Sequence, residues 1–274
     1  MRRLLAATFL LALSGPAFAG AVDPGFRSST FPANDDGATG AIALGFNANY
    51  FGTTYSDTYV SNNGYLTFNS GQGTYTPGGL GSGYSGQPII AAFFADVDTR
   101  ASGSGLTSYG TGTYNGRAAF GATWPAVGYF STRADKLNTF QIILTDRSDT
   151  GAGNFDIYLN YDQIQWETGS ASGGSNGFGG TSAAVGYNAG LAGNPAGTFF
   201  EFAGSRVPGS FLDGGPNSLV AGTNDGVTGQ YLFTVRNGRV IDPGNPGDPT
   251  GVPEPASIAL LGIGLAGLLA RRRR

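Results

Sequence analysis

The feature that most constrains this chain is a repeated two-residue alternation of apolar and polar side chains. Residues 154–161 read NFDIYLNY, so Phe155, Ile157 and Leu159 fall on one side of an extended strand and Asp156, Tyr158 and Asn160 on the other, because successive strand side chains point to opposite faces. Residues 138–145 (NTFQIILT) form its companion, across a polar connection that ends in Gly-Ala-Gly. The same unit, a short apolar or aromatic run bounded by Gly, Asn or Asp, recurs along the chain. Tyr59-Val60 and residues 65–68 (YLTF) flank Asn62-Asn63-Gly64, and Asn-Gly between strand-like runs is the strongest short-range hairpin signal. Alternation there sets Leu66 and Phe68 against Tyr65 and Thr67. Residues 89–94 (IIAAFF) are apolar without a break, the pattern of a central strand buried on both faces. Further runs lie at 41–46, 106–109, 117–124, 183–187, 198–202 and 230–235, with Asn115-Gly116 as a turn. Few windows carry a helical period. The expectation is one all-β domain of antiparallel β-sandwich type.

Composition narrows the chemistry. The 48 Gly residues suit short strands joined by many turns. No Cys and no His are present, which removes disulfides, thiolate chemistry, imidazole bases and the usual zinc ligand sets. Residues 20–250 carry nine basic and seventeen acidic side chains, a net charge of −8. That balance repels nucleic acid and favours divalent cations as ionic partners.

The two ends read as addresses. Arg2-Arg3, an apolar run from 4 to 13 and Ala17-Phe18-Ala19 form a positive n-region, an h-region and an A-x-A site, so residues 1–19 are expected to be a secretory signal peptide cleaved after Ala19. The body is expected to span 20–241. Residues 242–251 (DPGNPGDPTG) cannot continue a ladder and read as a stiff linker. The tail, 252–274, has three parts: Val252-Pro253-Glu254-Pro255, an apolar stretch from 256 to 270, and Arg271, Arg272, Arg273 and Arg274. Pro255 suits the first turn of a helix, and the arginines would hold the far end at the cytoplasmic face. Fifteen helical residues rise only about 22 Å, against roughly 30 Å of hydrocarbon, so the helix is a short span suited to a temporary stay in the inner membrane.

This order of parts resembles the PEP-CTERM protein-sorting signal of Gram-negative bacteria. The resemblance implies processing by a membrane exosortase and delivery to the cell surface or a biofilm exopolysaccharide matrix. A second resemblance covers residues 31–205. Asn34-Asp35-Asp36-Gly37, Leu44-Gly45-Phe46, residues 50–55 (YFGTTY), 59–64 (YVSNNG), 95–100 (ADVDTR), 138–141 (NTFQ), 161–167 (YDQIQWE) and 184–190 (AVGYNAG) are similar, in that order, to blocks of the nidogen-like extracellular domain. That resemblance implies a non-catalytic extracellular module associated with cell–matrix adhesion, with no cofactor required.

Three sets of side chains are candidates for function. Asp96 and Asp98 follow the 89–94 run, and Asp35 and Asp36 come from an Asn/Asp-rich turn. Together they could supply hard oxygen ligands to Ca²⁺; alternatively they cap turns or pair with Arg100. For catalysis only paired carboxylates are available: Glu167 and Glu201 with Asp96, Asp98, Asp156 or Asp162, which would make the chain an exported glycan hydrolase. Tyr75, Tyr84, Tyr109, Tyr114 and Tyr129 are expected in loops, where their rings could lie against sugars of an exopolysaccharide or cover the sandwich ends. Trp124 and Trp166 are expected to be core anchors.

Overall fold

The structure, a computed structural model, describes residues 20–241; the expected signal peptide, the expected linker and the sorting tail with its expected helix lie outside them. In chain order the strands are β1 (Ser29–Thr30), β2 (Ile42–Tyr50), β3 (Thr53–Ser61), β4 (Tyr65–Thr67), β5 (Ile89–Phe94), β6 (Ser108–Tyr114) and β7 (Arg117–Tyr129). They continue with β8 (Arg133–Asp146), β9 (Phe155–Ile164), β10 (Ala184–Asn188), β11 (Phe199–Glu201), β12 (Gln230–Arg236) and β13 (Arg239–Ile241). A seven-stranded sheet has the order β1-β6-β7-β8-β9-β12-β13, and a six-stranded sheet the order β11-β10-β5-β4-β3-β2. Every pairing is antiparallel. Among the described residues no helix is long and apolar enough to cross a membrane.

The alternating patterns set the layers. Phe120, Ala122 and Trp124 of β7, Phe140, Ile142 and Leu144 of β8, and Phe155, Ile157 and Leu159 of β9 meet Leu44, Val60, Leu66 and Ile90 of the other sheet in one buried core. Each large side chain removed from water there contributes roughly 1.5–3 kcal/mol. Trp124 stacks on Phe140 at a centroid distance of 5.1 Å, and Trp166 meets Phe93 edge-on at 5.6 Å. Both indoles are fully buried, and their N–H groups donate to the carbonyls of Asn62 (2.9 Å) and Val127 (3.0 Å). Strand β5 is buried at all six positions because its outer face is also covered: Ile89, Ala91 and Phe94 pack with Tyr65, Leu80 and Ala184. Leu80 comes from the long loop between β4 and β5.

Several elements differ from the pattern reading: β1 has no counterpart in it, β2 and β8 run longer than their apolar patterns, and three others differ for reasons the packing shows. Strand β6 runs over 108–114 rather than 106–109, because Gly110 and Gly112 interrupt the apolar signal. Phe26 supplies the missing apolar surface from outside, its ring within 3.2 Å of where a Cβ on Gly112 would stand. Strand β7 continues past Trp124 through a register shift at Pro125-Ala126, where Ala126 has a φ of 50°; such bulges let proline sit within a sheet. Strand β13 follows an Asn237-Gly238 turn and pairs with β12.

Candidate functional site

The Asn62-Asn63-Gly64 turn joins β3 to β4, as the pattern predicts, and it also builds a site. Both asparagines are fully buried. The Asn62 amide donates to the carbonyls of Asn34, Asp35 and Val97 at 3.3, 2.5 and 2.7 Å. Asn63 accepts from the Val97 N–H at 2.9 Å and donates to an Asp36 carboxylate oxygen at 2.9 Å. Asn34 closes its own loop by accepting from the Gly37 N–H at 2.9 Å, a local side-chain turn of the Asx kind. The loop at 34–37 is thereby fastened over the chain that leaves β5. The result brings one carboxylate oxygen each of Asp35, Asp36 and Asp96 within 4.8 Å of one another.

Asp98 does not join them. It is fully buried, and its oxygens accept from the Arg100 N–H (3.0 Å), the Arg100 guanidinium (2.9 and 2.7 Å) and the Thr132 N–H (2.8 Å). Of the four aspartates read as calcium ligands, Asp98 is therefore spent on Arg100 and on a turn. Burial would raise its pKa, but the Arg100 guanidinium and the two backbone N–H groups outweigh burial and hold it below the ordinary value. Asp96, two residues earlier, is only 1% exposed, and its Oδ2 has no hydrogen-bond partner. Burial first, then the charges of Asp35, Asp36 and Asp98, push its pKa up to about 7, against the weaker pull of Arg100. Asp35 gives one oxygen to Arg100 at 2.8 Å and leaves Oδ1 buried without a partner. Its pKa rises to about 6 through burial and then the charges of Asp98 and Asp36. Asp36 is exposed and forms the open side of the group. The three grouped carboxylates thus lie beside a separate Asp98–Arg100 pair, with Arg100 also reaching Asp35.

The other candidates have partners elsewhere. Glu167 is fully buried and accepts from the Phe211 N–H at 2.8 Å and from the Gly209 N–H, so it ties a loop to the core. Asp156 sits between Arg147 and Arg236, each at 2.7 Å. Glu201 pairs with Arg206 at 3.3 Å, and Asp162 accepts from the Val22 N–H at 3.0 Å. The loop reading of the tyrosines holds for Tyr75 and Tyr84, which stand in the connection between β4 and β5, and is corrected for the other three. Tyr109 and Tyr114 lie within β6, and Tyr129 ends β7 fully buried. Tyr84 packs beside the outer cluster on β5, its hydroxyl donating to the Gln87 carbonyl at 2.8 Å. Tyr75 is half-buried. None of the five is exposed: Tyr129 belongs to the main core, Tyr109 packs against it, and Tyr84 and Tyr114 pack on the smaller outer clusters. Sequence reasoning missed instead an open cavity of about 410 Å³ lined by Phe202, Pro216, Asn217, Ser218, Thr223 and Tyr231, with no carboxylate in its lining. The Phe202 and Tyr231 rings meet edge-on at 4.9 Å there. The only sequence signal was the Pro/Asn/Gly-rich stretch before β12.

A family model described as the nidogen-like domain matches residues 56–115 and 106–237. The chain belongs to the nidogen-like domain family. A second model, the PEP-CTERM protein-sorting motif, matches residues 251–274. Alpha-tectorin of Gallus gallus is 32% identical over 237 residues, covering 78% of this chain and 10% of that protein. Alpha-tectorin of Homo sapiens is 32% identical over 236 residues with the same coverage. Nidogen of Drosophila melanogaster is 31% identical over 131 residues, 40% of this chain and 10% of that protein. The chain thus spans about a tenth of the length of these relatives. No solved structure gives a significant match. The nidogen-like body and the sorting motif mark an exported, surface or extracellular protein, and the motif implies processing by an exosortase.

Proposed function

We propose that this chain is a non-catalytic surface or matrix protein of a Gram-negative bacterium, held transiently at the inner membrane by its tail and then released to bind the exopolysaccharide matrix and support cell–matrix adhesion. The observation that carries the reading is one chain in which a nidogen-like body is followed by a PEP-CTERM tail, and the expected secretory leader agrees with it. The chemistry of the body agrees with it. Glycoside hydrolysis needs two carboxyl groups facing across a cleft, whereas Glu167, Asp156, Glu201 and Asp162 are each engaged in structural contacts. The open cavity beside Tyr231 has the apolar ring surface and polar rim that a sugar requires. Co-sedimentation of the purified protein with one neutral and one acidic polysaccharide tests the proposal. Retention without release of reducing ends is expected. No retention on either polymer, or depolymerisation of one, would overturn it.

A further inference from the structure

We propose that Asp35, Asp36 and Asp96 bind one divalent cation, calcium by the number of carboxylates offered. Three observations converge. One oxygen of each residue lies within 4.8 Å of the others. Oxygens that close can share one calcium ion, whose contacts of about 2.4 Å let opposite ligands stand up to about 4.8 Å apart, and calcium accepts several carboxylates where magnesium usually keeps its waters and takes one or two. Independently, Asp96 is 99% buried yet its Oδ2 finds no donor, and Asp35 Oδ1 is buried in the same condition. Buried carboxylate oxygens without partners are costly, and the one nearby guanidinium, Arg100, is already committed to Asp98 and Asp35. A cation is the group this arrangement lacks.

The surroundings hold the three ligands before any ion arrives. Asn63 fixes Asp36 at 2.9 Å, Asn62 fixes the Asp35 backbone, and Arg100 fixes the second oxygen of Asp35. Gly169 leaves room for Asp96, since a Cβ at that position would stand 2.2 Å from Asp96 Oδ2. Exposed Asp36 gives the ion a path from solvent, where waters complete the six to eight oxygens that calcium takes. The bound ion clamps the loop at 34–37 onto the chain leaving β5. This assignment is independent of what the body binds in the matrix.

Calorimetric titration of the purified protein with Ca²⁺ and with Mg²⁺, beside thermal melts in chelator and in Ca²⁺, tests the site. Heat of binding is expected with Ca²⁺ in preference to Mg²⁺, and Ca²⁺ at 100 times Kd raises Tm by about 5–10 °C. Asp96→Asn should abolish the calcium response while melting in chelator at or above the wild-type temperature, because a buried charge has gone. Asp36→Asn, on the exposed side, keeps the fold and should weaken binding at least about tenfold. A flat titration with unchanged Tm in the wild-type protein overturns the assignment. So does an Asp96→Asn protein with the wild-type response, or, where that variant fails to fold, an Asp36→Asn protein of unchanged affinity.

Discussion

Gly64 and Gly116 offer a matched pair of perturbations. Both occupy a β-turn with positive φ, +85° and +75°, so replacing either with alanine incurs the left-handed penalty of roughly 1–2 kcal/mol. They differ in what a side chain would meet. A Cβ on Gly116 faces open space, whereas one on Gly64 would stand 1.9 Å from the Phe93 carbonyl oxygen and 2.7 Å from its carbon. That carbonyl belongs to the central strand β5, and the Phe93 N–H donates to the Gly64 carbonyl at 3.1 Å, so neither backbone can withdraw without breaking a bond between turn and strand. Overpacking of this kind adds about 1–3 kcal/mol or more. Gly116→Ala should therefore lose about 1–2 kcal/mol and Gly64→Ala about 2–5 kcal/mol, read by urea unfolding and by Tm at about 2–4 °C per kcal/mol for a domain of this size. Equal losses in the two variants would refute the claim that the turn is pressed against β5.

Asn62→Ala removes the donor to the Asp35 and Val97 carbonyls, the Asn34 carbonyl keeping its Thr99 donors, and at about 1–3 kcal/mol for each acceptor left unpaired it should cost about 2–6 kcal/mol in urea unfolding, while the exposed Asn69→Ala changes little. Asp98→Asn should destabilise by about 1–2 kcal/mol, because it removes the buried partner of Arg100, whose guanidinium is itself half-exposed and screened by solvent. The folded pKa of Asp98 is below the ordinary aspartate value of 3.8, so its contribution is complete above that value and is lost as pH falls through the lower folded value. The acid limb of stability below pH 3.8 should accordingly be shallower in Asp98→Asn than in wild type, measured by urea unfolding across pH. Gly121→Val, a change that strand preference favours, should instead lower Tm, because its side chain would displace the Phe26 ring that lies 2.3 Å from the Cβ position.

The layers were legible in the sequence wherever alternation was intact. Leu66 and Phe68 face the core and Tyr65 the outer cluster, and the unbroken run in β5 is covered on both faces. The pattern failed where apolar surface comes from a distant segment, as Phe26 does for β6, or where a bulge restarts the register, as at Ala126. The acidic group was legible as four aspartates, but their division was not. Spacing places Asp96 and Asp98 alike, and only the fold gives Asp98 its Arg100 and Thr132 partners while leaving an Asp96 oxygen without one. The buried side-chain roles of Asn62 and Asn63 were hidden behind their evident role as turn residues. Tyr75 and Tyr84 stand in the loop expected of them, whereas Tyr109, Tyr114 and Tyr129 lie in strands, because Gly-rich sequence marks both loops and close-packed strands.

Fractionation of cells with and without the exosortase, followed by mass spectrometry of the mature C-terminus, tests the central claim most directly. The account predicts a chain cut near Pro253-Glu254-Pro255, found at the surface or in the matrix only when the exosortase is present. An intact tail retained in the inner membrane of both strains would contradict it.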